Sequence, residues 1–107
     1  MQIELTGQGV EITSALRDYV NDKIGRIVRH FEPLLSVHVI MHVDKLGHSV
    51  EATVNAAHKR FHAEERSHDM YAAIDLLADK LDSQVRKHKE KLTDHRRSEG
   101  LEQKTGT

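Results

Sequence analysis

Lys80, Gln84, Lys87 and Lys91 recur at spacings of four, three and four. On an α-helix, residues so spaced share one narrow strip of surface. Three ammonium groups in such a strip suit the phosphates of folded RNA, where shape and backbone contacts matter more than base readout. Further up the chain, Lys23 and Arg26 border one edge of an apolar helical face and Arg17 the other, with Asp18, Asp22 and Arg29 on the far side. Two such helices packed side by side could bring their cationic borders together. The formal net charge of −1 hides this unevenness. Between Lys80 and Arg97 there are seven Lys or Arg (80, 86, 87, 89, 91, 96, 97) against three acids (82, 90, 94). Pattern alone also fits a solvated face carrying charge for solubility, because Asp75, Asp79, Asp82 and Glu90 share the segment.

Nine histidines raise the question of a metal. His38 and His42 are four apart in a segment that reads as a strand, which separates them by roughly 13 Å, too far for one ion. No helical segment pairs histidines at i and i+4, and the HKRFH run of 58–62 is weak as a ligand set. Histidines standing on an open sheet face account for the pattern better, so neither a metal nor another cofactor is expected. Catalysis finds no support either. There is no cysteine, no Gly-x-Ser-x-Gly, no phosphate-binding loop and no convincing carboxylate pair.

The elements that must carry these side chains follow from periodicity. Residues 2–6, QIELT, alternate as a half-buried strand does, and Gly7 and Gly9 break the pattern. Thr13 can cap a helix whose apolar positions are Leu16, Tyr19, Val20, Ile24, Ile27, Val28 and Phe31, ended by Pro33. From Ser36 to Lys45 the chain alternates again, with Val37, Val39, Met41 and Val43 on one face and His38, Ile40 and His42 on the other. Gly47 marks a turn, and Val50, Ala52, Val54 and Ala56 keep period two. After Ala57-His58-Lys59-Arg60, a connection of about four residues without the glycine or asparagine of tight hairpins, Phe61 and Ala63 open a further short strand.

Asp69, or Ser67 before it, can cap a last helix with the apolar stripe Met70, Ile74, Leu77, Leu81, Val85 and Leu92. Running from 70 to about 95, it would be roughly 39 Å long at about 1.5 Å per residue, more than the ~17 to 20 Å of a typical strand. Its far end must then project. Residues 98–107, SEGLEQKTGT, are polar and patternless and read as a disordered tail. The fold class is α+β, in the order β-α-β-β-β-α, with two helices on one face of a four-stranded sheet.

At 107 residues the chain fits one domain. With 37% apolar and 31% charged residues and only four aromatic rings, its core must be largely aliphatic. The lack of cysteine suits a reducing cytosol, no apolar run approaches the roughly 20 residues of a membrane span, and MQIELTGQG is unlike a signal peptide. A monomer is expected, since charged helices offer no large apolar patch.

The chain also resembles a known family. VEITSALRDYV at 10–20, DMYAAID at 69–75, DKL at 79–81 and KHKEKL at 87–92, with the spacing between them, are similar to the short form of the bacterial ribosome hibernation-promoting factors. These share a superfamily with the ribosome-associated inhibitor and the sigma-54 modulation proteins. The resemblance covers residues 1 to about 95 and implies a fold similar to double-stranded RNA-binding domains. It further implies binding to the small ribosomal subunit and its rRNA, in the channel of messenger and transfer RNA, with block of translation and promotion of inactive ribosome dimers in stationary phase. Residues 1–97 would be the ribosome-binding domain. The RNA-binding positions implied are Arg17, Lys23, Arg26, Lys80, Arg86, Lys87, Lys89 and Lys91; Arg17, Lys23, Arg26, Lys80, Lys87 and Lys91 nearly coincide with the borders found by projection, whereas Lys89 lies on the opposite side of the stripe from the Lys80 row. Lys59 and Arg60 would add a contact where relatives tend to have glycine. The short tail implies that ribosome dimers need a separate ribosome modulation factor. A free double-stranded RNA binder, an interaction module unrelated to RNA and, distantly, a metal-dependent enzyme are the competing readings. Because Lys80, Lys87 and Lys91 border the stripe with their charges in solvent, replacing all three by Glu is expected to spare the fold.

Overall fold

The computed structural model describes residues 3–29, 34–57 and 59–101, with side chains as far as Lys89 apart from those of residues 34 and 35. The elements are β1 (Ile3–Gln8), α1 (Ser14–Val28), β2 (Leu34–Asp44), β3 (Gly47–Ala56), β4 (Arg60–Ser67) and α2 (Met70–Leu101). The four strands form one sheet in the order β1-β2-β3-β4. β1 lies parallel to β2, as a crossover through α1 requires, and the other two pairings are antiparallel hairpins. The fold is thus the β-α-β-β-β-α arrangement expected from the alternation.

Cross-strand register decides which side chains meet the helices. Ile3 pairs with Val37 and Leu5 with Val39, Val39 pairs with Ala52 and Ala52 with Ala63, while Val37, Val54 and Phe61 form the next row. These residues face α1 and α2, where Val20, Ile24, Val28, Ile74, Leu77 and Leu81 are fully buried. Each buried aliphatic side chain contributes about 1.5–3 kcal/mol. Ala52 and Ala63 lie side by side, and this low ground lets α2 settle over β3 and β4.

Local signals hold where a side chain must satisfy orphan amides. The Thr13 hydroxyl accepts from the Leu16 amide at 3.1 Å, and the Asp69 carboxylate takes the amides of Tyr71 at 3.2 Å and Ala72 at 3.3 Å. Elsewhere boundaries differ from expectation. β1 continues through Gly7 to Gln8. A Cβ at Gly7 would collide with the Val10 carbonyl, so this glycine admits a close approach inside the strand; the break comes at Gly9, with φ of 74°. α1 ends at Val28, with Arg29 as its cap, short of the expected Phe31. Phe31 and Pro33 lie outside the described residues, but a proline disfavours helical geometry in the residue before it, and β2 already begins at Leu34.

The β3–β4 connection is tighter than expected. The Ala56 amide donates to the Lys59 carbonyl at 2.9 Å, and Arg60 is already in β4, opposite Asn55. His58 lies outside the described residues. The strand that Phe61 and Ala63 open runs on through Glu64-Glu65-Arg66 to Ser67. These charges suit an edge strand, where one face and one side are open. α2 is helical to Leu101, past the expected stop near 95. The expected tail falls on residues whose side chains, and from 102 onward whose backbone, lie outside the described residues.

Candidate nucleic-acid interface

α2 presents two polar edges, and each meets a different neighbour. On one, the Lys80 ammonium donates to the Glu64 carbonyl at 3.2 Å and pairs with the Glu65 carboxylate at 3.2 Å. One turn on, the Gln84 side-chain amide donates to the His62 carbonyl at 3.1 Å. His62 and Glu64 are alternate residues of the edge strand, so Lys80 and Gln84 cover the carbonyls that β4 turns away from β3. Lys87 continues this edge, exposed. The Lys91 side chain lies outside the described residues.

The end of this edge converges on the β3–β4 connection. His88 packs edge-on against Phe61 with ring centroids 5.5 Å apart, and the Lys59 ammonium stands 5.6 Å from the centroid of the same ring. Lys59 and the exposed Arg60 therefore extend the cationic strip that Lys80 begins and Lys87 continues.

The opposite edge of α2 faces α1. The Lys23 ammonium lies 3.5 Å from Asp75 Oδ1, and the Tyr19 hydroxyl donates to that same oxygen at 2.6 Å. This hydrogen bond, with lesser help from desolvation and from the charges of Asp75, Asp69 and Asp22, pushes the Tyr19 phenol up to about 12. Lys23 also sits over the Tyr19 ring, 5.6 Å from its centroid. Tyr19 in turn meets Tyr71 edge to face at 5.0 Å. Arg26 pairs with Asp22 at 3.3 Å and Arg86 with Asp82 at 3.2 Å. By helical projection Tyr71, Asp75, Asp82, Arg86 and Lys89 share the α1 side of α2, whereas Lys80, Gln84 and Lys87 lie over β4.

The expectation that packing would join the two cationic borders is therefore corrected. α1 docks with its Lys23 edge against the Asp75 side of α2, and the body of α2 separates Lys23 and Arg26 from Lys80 and Lys87. Two cationic strips flank the helix: Lys23, Arg26, Arg86 and Lys89 on one side, and Lys80, Lys87, Lys59 and Arg60 on the other. Arg17 belongs to neither, being exposed on the edge of α1 that faces away from α2.

The open sheet face carries the histidines. His38 Nε2 lies 2.9 Å from the Thr6 hydroxyl, His42 Nε2 3.1 Å from Asp44, and His62 Nε2 3.1 Å from Glu51. Asp44 also accepts the Leu46 amide at 2.8 Å. That bond first, and His42 second, hold its carboxyl below the usual aspartate value. Each ring thus meets a single near partner, and among the described residues no three His, Asp or Glu gather as metal ligands.

Two features escaped the sequence reading: the Tyr19–Tyr71–Asp75–Lys23 cluster, and the covering of β4 by Lys80 and Gln84. Only the i, i+4 spacing of Tyr19 with Lys23 and of Tyr71 with Asp75 hinted at the first, and it does not say that the two pairs meet.

Comparison with known proteins places this geometry. The family described as sigma 54 modulation protein / S30EA ribosomal protein matches residues 3–93. The ribosome hibernation promoting factor of Azotobacter vinelandii is 53% identical over 91 residues, 85% of each chain. That of Escherichia coli K12 is 43% identical over 95 residues, 89% of this chain and 100% of the relative. Among solved structures, a ribosomal subunit interface protein from Coxiella burnetii superposes with a TM-score of 0.77 at 39% identity, covering 84% of this chain and 99% of that one. The N-terminal domain of Thermus thermophilus Protein Y gives 0.73 at 33% identity, covering 82% and 99%. Matched across nearly its whole folded core, the chain belongs to the sigma 54 modulation protein / S30EA ribosomal protein family.

Proposed function

We propose that this chain is a ribosome hibernation factor: a binding protein, not an enzyme, that occupies the small ribosomal subunit in the channel of messenger and transfer RNA and blocks translation. The observation that carries this reading is its 43–53% identity, across the folded core, to relatives named ribosome hibernation promoting factors. The two cationic strips along α2 support it physically. They offer Lys23, Arg26, Arg86 and Lys89 to one run of rRNA phosphates and Lys80, Lys87, Lys59 and Arg60 to another, and Arg17 reaches a third point beside α1.

On this reading the free protein is a cytosolic monomer whose residues 1–97 form the ribosome-binding domain, and a ribosome modulation factor is a further partner in pairing inactive ribosomes. Sedimentation of a stationary-phase lysate through a sucrose gradient tests the proposal. The protein is expected in the small-subunit and ribosome fractions. A protein that stays at the top of the gradient is a free RNA binder or an unrelated interaction module.

A further inference from the structure

We infer that the cluster on the outer surface of the α1–α2 seam is a stacking site for one unpaired ribonucleotide, with Tyr71 as its platform. This rests on the proposal that the partner is ribosomal RNA, and adds what the cationic strips lack, a contact with a base. Tyr71 is the one aromatic among the exposed large apolar residues of the described chain, at 38%. Its ring is braced edge to face by Tyr19 at 5.0 Å, and Tyr19 is anchored through its hydroxyl to Asp75 at 2.6 Å. A ring so held loses little freedom when a base stacks on it.

The polar groups around the ring say which part of a nucleotide fits. Carboxylates flank this patch: Asp75 accepts the Tyr19 hydroxyl at 2.6 Å and Asp69 accepts the Tyr71 amide at 3.2 Å. Such a surface disfavours a phosphate directly over the ring. It favours base and sugar, whose exocyclic amines and 2′-hydroxyl are donors. Tyr19 and Lys23 both bind Asp75 through Oδ1, which leaves Oδ2 as an acceptor for such a donor. Lys23, beside the cluster, is placed for the flanking phosphate. The amides at the start of α2 take no part, because Asp69 occupies those of Tyr71 and Ala72.

Stacking is indifferent to ionic strength in a way that phosphate contacts are not, and this separates the roles. Tyr71→Ala is expected to weaken ribosome binding about tenfold without changing the salt slope. Tyr71→Phe, which keeps the π face, should bind as wild type does, and Tyr71→Leu, which keeps apolar bulk, should resemble the alanine variant. Tyr19 and Tyr71 are the only tyrosines and there is no tryptophan. In a Tyr19→Phe background, an unstructured oligoribonucleotide should therefore quench the remaining tyrosine emission, while an RNA duplex should not. Thermal melts of each variant confirm that the fold is intact, and should alanine impair it, the leucine and phenylalanine pair decides alone. Wild-type affinity in Tyr71→Ala or Tyr71→Leu, or equal losses in Tyr71→Phe and Tyr71→Ala, would overturn the inference. Weakened ribosome binding with no quenching by the oligoribonucleotide would place Tyr71 against a ribosomal protein and overturn it too. If wild type itself fails to bind ribosomes, the broader proposal falls with it, whereas normal wild-type binding with an indifferent Tyr71 removes this inference alone.

Discussion

Lys80 donates to the Glu64 main-chain carbonyl at 3.2 Å while its ammonium stands equally close to the Glu65 carboxylate. One cation thus ties α2 to the edge of the sheet and also stands in the strip proposed to meet RNA. A Lys-to-Glu change here does more than reverse a surface charge. It uncovers an edge carbonyl and sets two carboxylates against each other.

Lys80→Glu is accordingly expected to lower stability by about 1–2 kcal/mol, from a lost hydrogen bond to the backbone and a repulsive pair. Lys87→Glu, at an exposed position, should stay within about 0.5 kcal/mol of wild type. Urea denaturation distinguishes them. The expectation that changing Lys80, Lys87 and Lys91 together spares the fold is therefore replaced: Lys87→Glu with Lys91→Glu is the cleaner probe of the RNA surface, and equal stability of Lys80→Glu and Lys87→Glu would show that the edge contact is dispensable.

Legibility in the sequence stopped where one element meets another. Alternation in Val37-Val39-Met41 and the four-residue steps Leu16-Val20-Ile24-Val28 identify the inward faces, because burial imposes a period on the residues themselves. Thr13 and Asp69 identify helix starts, because a cap is a local bond. A helical projection gives the angle between Lys80 and Asp75 but not which neighbour each edge touches, and so it cannot tell joined cationic borders of α1 and α2 from separated ones. Polarity alone does not mark where the strand opened by Phe61 and Ala63 ends. Glu64-Glu65-Arg66 is strand because Ser49, Val50 and Glu51 of β3 supply the pairing from a distance.

Tyr19 should ionise late. With its phenol pushed up to about 12 by the Asp75 carboxylate, the unfolded chain loses this proton near the usual 10 and the folded chain holds it longer. Stability from this group is thus complete below about pH 10 and disappears as pH rises towards 12. Ultraviolet difference titration should find one tyrosine ionising near pH 12, and Asp75→Asn should lower that value. An unchanged curve in Asp75→Asn would remove Asp75 as the cause.

Asp44 makes the matching acid-side prediction. Its carboxyl is held low, first by the Leu46 amide and then by His42, so its contribution is present above the ordinary aspartate range and is lost as pH falls through the folded value. Asp44→Asn should flatten the acid limb of stability against pH, measured by denaturation between about pH 2 and 5. A limb as steep as that of wild type would mean that the β2–β3 turn does not depend on this charge.

The salt dependence of ribosome binding is the most direct measure of contact between the cationic strips and rRNA phosphates. Purified protein mixed with ribosomes and separated subunits, sedimented over a range of potassium chloride, should travel with the small subunit. With about six phosphates neutralised, log K should fall against log salt with a slope of about −4 to −5, reduced by about one for each strip cation removed, as in Lys87→Ala. A protein that remains at the top of the gradient at low salt, or one that binds with a slope near zero, would contradict that contact.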